Sequence, residues 1–212
     1  MPFDSRPAAR HQTAMLLWAG IFLIAAGLAS IGFDRWSSHL LYKRVGIRFW
    51  HVLDATTHWA KASHWLIAAG IAYAVAAAAG LGPMKQYAAA FIASLVSGSL
   101  VLHAIKLAFG RRRPRDDLEM GLYGFKPFSF DLRYNAFPSG HALTIMCVAA
   151  IASAAWPNLA VLWFAIAAWL GLTRALLTAH YLSDVLVGAG IGLISARETV
   201  IHLFPQLAPA WF

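Results

Sequence analysis

Six long apolar stretches, separated by segments rich in polar and basic residues, set the layout of this chain. They run from Met15 to Ile31, Trp65 to Leu81, Tyr87 to Ala108, Ala142 to Trp156, Leu159 to Leu172 and Val185 to Phe204. Runs of this kind, nearly free of charge, predict helices that cross a bilayer. A crossing takes roughly 20 apolar residues, so the fourth and fifth runs need flanking residues to span.

The first two crossings are joined by a different texture. From Phe33 to Ser63, Trp36, Leu40, Leu41, Phe49, Trp50, Leu53 and Trp59 mix with Arg35, Lys43, Arg44, Arg48 and Lys61, and the apolar residues recur at about helical spacing. Trp beside basic side chains suits a helix lying in the headgroup layer, so one or two interfacial amphipathic helices are expected, with a plain extramembrane loop as the alternative. Ahead of the first crossing, Arg6 and Arg10 allow a secretory signal. The apolar run that follows is longer than the about 7 to 15 residues of such a signal, which favours an uncleaved first crossing. The expected architecture is all-α: a single domain over residues 1–212, built as a six-transmembrane helix bundle.

Composition agrees. Hydrophobic residues make up 60% of the chain, charged residues 12%, and the mean hydropathy is +0.61, against about 25% charged residues in ordinary soluble domains. That is the composition of a membrane protein. Cys147 is the only cysteine, which rules out an intramolecular disulfide and a cysteine-based metal cluster. Gly188 and Gly192 form a GxxxG pair that lets another helix approach closely.

Three polar blocks fall at the ends of apolar runs: Lys106 with Arg113-Pro114, Pro138-Ser139-Gly140-His141, and Thr173-Arg174 with His180 and Asp184. If six crossings alternate in direction, all three emerge on one face of the membrane. Lys106 and Arg113 stand seven positions apart, from a helix end into the next loop, and can converge on one anion. Arg111 and Arg112 in the same run are read as steering anions from outside the reacting centre, or as a headgroup anchor. Ser139 is a good N-cap, and Gly140 lets backbone approach a ligand at a helix start. His141 on that first turn is placed for general acid work, with an incidental interfacial histidine as the plainer reading. His180 and Asp184 are spaced i, i+4, so Asp184 can hold the imidazole in one tautomer and leave the opposite nitrogen to attack phosphorus. Arg174 would complete a cationic cradle. The remaining histidines, including His39, His51, His58, His64 and His103, carry no such pattern, and no metal or other cofactor is expected.

Lys-x6-Arg-Pro, Pro-Ser-Gly-His and Arg-x5-His-x3-Asp, in that order from Lys106 to Asp184, resemble the three-part signature of the type 2 phosphatidic acid phosphatase superfamily, which also includes vanadium haloperoxidases. The third block opens with Thr173-Arg174 where the family has Ser-Arg, so a hydroxyl is kept. The resemblance implies that Lys106, Arg113, Ser139, Gly140 and Arg174 bind phosphate, that His141 protonates the leaving group, and that His180 is a nucleophile oriented by Asp184. It implies metal-independent hydrolysis of a membrane lipid phosphate, as monoester or pyrophosphate, through a phosphohistidine, at the outer face of a bacterial-type cytoplasmic membrane. Phosphatidic acid, phosphatidylglycerol phosphate, isoprenyl pyrophosphate and lipid A phosphate all present a dianion on an apolar body. The partners implied are the lipid substrate and the bilayer, with no nucleic acid.

Charge alone points the other way on orientation. Of 17 Lys and Arg residues, Arg6, Arg10, Lys85 and Arg197 fall on the face away from the three blocks and the other 13 on the same face, which the positive-inside rule would place in the cytoplasm. The competing functional class is a lipid-phosphate binding or transport protein without turnover. Paired histidines argue against it, since binding alone does not need them.

Overall fold

The computed structural model describes residues 15–212, so Arg6 and Arg10 lie outside the described residues. Nine α-helices are present among the described residues: α1 (Met15–Ser30), α2 (Asp34–Arg44), α3 (Ile47–Thr57), α4 (Ala62–Ala78), α5 (Gly82–Phe109), α6 (Pro114–Met120), α7 (Gly140–Ala155), α8 (Ala160–Leu176) and α9 (Leu182–Leu203). The only β-pairing found there is two isolated bridges at Arg111. The architecture is all-α, as the apolar patterning predicts.

Four helical stretches are long and apolar enough to cross a membrane: Met15–Arg44, Gly82–Phe109, Pro157–Leu176 and Leu182–Leu203. The shorter apolar helices Ala62–Ala78 and Gly140–Ala155 stand where the other two crossings were expected. The first stretch overruns its expected end at Ile31, because a 3-10 turn at Ile31–Phe33 carries the helix on into α2 without a break. Two helices, α2 and α3, occupy the Trp-rich connecting segment, in place of a loop.

Breakers in the sequence explain where helices stop. Pro83 sits in the first turn of α5, and Gly110, in a left-handed conformation (φ 52°), caps its end. Gly110 has a second reason to be glycine, since a Cβ there would lie 2.0 Å from the Lys126 carbonyl oxygen. Proline follows α7 at Pro157 and α9 at Pro205, where it cannot continue a helix.

The central element is α9, which packs against α1, α5, α7 and α8. Its glycines face two ways. A Cβ on Gly188 would be 2.2 Å from the carbonyl of Ser139, the N-cap of α7, and one on Gly192 2.5 Å from the Leu143 carbonyl within α7, whereas one on Gly190 would meet the Gly20 carbonyl of α1 at 2.5 Å. The expected close approach thus exists, and it draws the N-terminus of α7 onto the first turns of α9. Aliphatic side chains fill the rest of the interior, with Leu95, Leu102, Leu143, Ile145, Ile191, Leu193 and Val200 all buried.

Candidate active site

The end of α5, the start of α7 and the connection from α8 to α9 meet at one end of the bundle, and backbone hydrogen bonds tie them together. The Ser139 amide donates to the Asp184 carbonyl (2.9 Å), the Arg115 amide to the Thr178 carbonyl (3.2 Å), and the Ala136 amide to the Arg111 carbonyl (2.9 Å). All three sequence blocks therefore lie together at one end of the bundle.

At His180, the Nδ1 atom is 2.8 Å from the Ala136 carbonyl oxygen. A carbonyl can only accept, so Nδ1 carries the proton and Nε2 presents a lone pair. Asp184 was expected to fix this tautomer, yet its Oδ2 is 3.7 Å from Nδ1. The reason is local: α9 starts at Leu182, so His180 precedes the helix and its ring turns toward the loop before α7. Asp184 Oδ2 instead accepts the Tyr181 amide (2.8 Å), and Oδ1 accepts from Arg111 Nη1 (2.8 Å). The carboxylate stays close enough to act on the ring by charge. Burial, opposed by Asp184, holds the His180 pKa below the usual histidine range.

Ser139 caps α7, its Oγ accepting the Ala142 amide at 3.5 Å. Space in front of Gly140 is open, since an added Cβ there meets nothing within 4 Å. His141 is half-buried, and the charges that act on it are Arg174, His180, Lys61 and Arg113. Apart from His180, every one is a cation.

The three expected cations converge. Lys106 Nζ donates to the Asn135 carbonyl (2.8 Å) and feels the charges of Asp184 and Arg113. Arg113 is the N-cap residue of α6, and burial together with Arg115 pulls its pKa below the ordinary guanidinium range. Arg174 donates through Nη1 to Thr57 Oγ1 (2.8 Å), and its buried Nε has no hydrogen-bond partner among the described residues. Like charges confined this way destabilise one another, and a dianion among them relieves it.

Arg111 differs from the sequence expectation. It is completely buried and bridges Asp184 and Asp34, each at 2.8 Å, so it neither steers ions from outside nor anchors headgroups. Arg112, the other residue of that reading, pairs with Asp116 at 3.6 Å. Sequence reasoning also missed Thr57, which bonds both Arg174 and the Thr173 hydroxyl (3.0 Å), and the charges that α3 and the start of α4 bring near, Asp54 by Arg174 and Lys61 by His141. Asp34 had a visible signal, a lone carboxylate at the end of an apolar run, which is costly unless paired. Thr57 had none.

Residues 87–207, which contain all of the signature positions, match the PAP2 superfamily. The chain belongs to the PAP2 superfamily. Among curated relatives, it is 37% identical over 99 residues to the lipid A 1-phosphatase of Rhizobium etli, an alignment covering 47% of this chain and 43% of that protein. It is 36% identical over 108 residues to the lipid A 1-phosphatase of Rhizobium johnstonii, covering 51% and 44%. These alignments span less than half the length of either relative. Two solved structures share the fold at a TM-score of 0.63: Aquifex aeolicus LpxE, at 16% identity over 80% of this chain and 96% of that one, and a transmembrane PAP2-type phosphatidylglycerolphosphate phosphatase from Bacillus subtilis, at 18% identity over 88% and 94%. With this PAP2 fold and its apolar helices, the chain is a membrane protein.

Proposed function

We propose that this PAP2 protein hydrolyses the phosphate of a membrane lipid through a phosphohistidine formed on His180, with no metal in the reaction. One observation carries the reading: His180 Nδ1 is committed to the Ala136 carbonyl, so Nε2 keeps its lone pair in a cluster of Lys106, Arg113 and Arg174. In the first step Nε2 forms a bond to phosphorus while the bond from phosphorus to the leaving oxygen breaks, and that oxygen takes a proton from His141. The His180 ring keeps its Nδ1 proton and becomes cationic, which the charge of Asp184 favours. Water then attacks the phosphohistidine, with neutral His141 accepting its proton, and inorganic phosphate leaves.

Substrate binding prepares the acid. Burial and, after it, the cations around His141 oppose its protonation, and a phosphate dianion bound between those cations would offset their share. Developing charge on the phosphoryl oxygens would be met by Lys106, Arg113, Arg174 and the amides at the Gly140 end of α7. Among lipid phosphates, the 1-phosphate of lipid A is the first substrate to test, because both curated relatives bear that activity in their names. The family resemblance further supports a site at the outer face of a cytoplasmic membrane.

The deciding experiment is phosphate release by purified protein in detergent from phosphatidic acid, phosphatidylglycerol phosphate, undecaprenyl pyrophosphate and lipid A, alongside His180→Ala. Turnover by the wild type and none by a folded His180→Ala protein is expected. Binding of these lipids without phosphate release would assign the cluster to a non-catalytic carrier.

A further inference from the structure

Arg111 occupies an unusual position for a guanidinium, with no solvent exposure and with two carboxylates, Asp34 and Asp184, that are equally buried. Nη1 donates to Asp184 Oδ1 (2.8 Å) and to Ser183 Oγ (2.7 Å), while Nη2 donates to Asp34 Oδ2 (2.8 Å) and to the Tyr123 hydroxyl (3.3 Å). The Tyr181 ring covers one face, its centroid 4.1 Å from the guanidinium carbon. Asp34 in turn accepts the Ser183 amide at 3.2 Å and the Ser183 hydroxyl, so a carboxylate from the end of the first apolar run caps the opening turn of α9. The main chain of Arg111 is engaged as well. Its carbonyl accepts the Ala136 amide, and the Ala136 carbonyl is the group that accepts the His180 Nδ1 proton.

We infer that Asp34 and Arg111 are positioning residues in the phosphoryl transfer proposed above: together they set the placement of Asp184 and the net charge presented to His180, and the Arg111 main chain holds the Ala136 peptide that orients the ring. The inference rests on that reading. Two carboxylates share one guanidinium, leaving one negative charge on the cluster. Were Arg111 paired with Asp184 alone, the pair would be neutral and the imidazole would lose its counter-charge as it turns cationic. Asp34 cancels the guanidinium and leaves the charge of Asp184 for the ring. Arg111 meanwhile fixes both groups flanking Nδ1, the carboxylate by its side chain and the Ala136 peptide by its backbone.

The test is Asp34→Asn, which keeps the shape and removes the charge, assayed with phosphatidic acid and lipid A in detergent micelles. Besides Asp184, the titratable or charged groups facing His180 are Lys106, Arg174 and His141, and those around Asp34 and Arg111 are Tyr123, Tyr181 and Asp184. With Asp34 neutral, the surroundings of His180 gain one positive charge, so its protonation is harder. A kcat lowered about tenfold, as for loss of a group orienting a reactive side chain, is expected with KM nearly unchanged and the acid limb of kcat/KM displaced to lower pH. Arg111→Lys, which cannot hold two carboxylates with the same fork, is expected to lower kcat likewise and serves if Asp34→Asn does not fold. An Asp34→Asn protein with wild-type kcat and pH profile overturns the inference, as does activity lost only in proportion to folded protein, or failure of both variants to fold. His180→Ala measured in parallel separates the two levels. Wild-type turnover in that variant, or no phosphate release by the wild type from either lipid, removes the proposed function itself.

Discussion

At His180 the proton inventory predicts a pH response. The proposed attack on phosphorus needs a neutral ring, and burial holds the His180 pKa below its ordinary value of about 6.5. The acid limb of kcat/KM is therefore expected below that pH, measured by phosphate release across a buffer series. Stability follows the same sign. The unfolded chain binds the proton first, so the contribution of neutral His180 is complete above about pH 6.5 and declines as pH falls toward the folded-state value. Gly140 offers a contrasting test. Its Cβ position is open, so Gly140→Ala is expected to leave thermal stability equal or raised by about 0.4 to 1 kcal/mol while weakening turnover, because the methyl would stand in the space proposed for the phosphate oxygens. Unaltered activity in a folded Gly140→Ala protein would move the phosphate elsewhere. The signature blocks were legible as polar residues at the ends of apolar runs, but the i, i+4 spacing of His180 and Asp184 did not foretell their contact, since His180 precedes the helix. Arg111 was not, since nothing in an Arg-Arg-Arg-Pro-Arg run distinguishes the guanidinium that turns inward until Asp34 is brought to meet it.

Among elements, the packing of α9 on α7 controls how the site closes. Gly188 meets the Ser139 carbonyl backbone to backbone, with no flexible side chain to give way. Gly188→Ala is expected to cost about 1 to 3 kcal/mol or more by overpacking and to lower kcat by displacing Ser139 from Asp184, read from thermal unfolding in detergent together with phosphate release. The GxxxG pair was visible in the sequence, but its partner helix was not, because a small-residue face names no neighbour. Helix α3 makes a similar point. Its aromatic and basic pattern predicted a helix near the headgroups, and only the fold places Thr57 against Arg174. Thr57→Val, which removes the hydroxyl at nearly constant volume, is expected to raise KM for lipid phosphate by about 5- to 10-fold through loss of a charge-assisted hydrogen bond worth roughly 1 kcal/mol or more. An unchanged KM would show that Arg174 holds its position without it.

Across the whole molecule, the cationic cluster bears on orientation. Arg111 is neutralised inside the fold, and Lys106, Arg113 and Arg174 surround the proposed phosphate site, so those four cations are poor topology signals and the raw charge count overstates the case for a cytoplasmic site. Impermeant thiol labelling of intact cells checks this: Arg133→Cys, on the exposed loop beside the site, is expected to react, and Lys85→Cys, at the other end of the bundle, to stay protected, with buried Cys147 silent. Residues 15–86 hold a last consequence. They lie outside the stretch that matches the family, yet Asp34 and Thr57 each reach a group in the site by a direct bond. A fragment starting at Tyr87 would carry every hallmark by which such proteins are recognised and still lack the carboxylate and the hydroxyl that steady two of its arginines, so it should be inert unless the missing front half is supplied as a separate polypeptide.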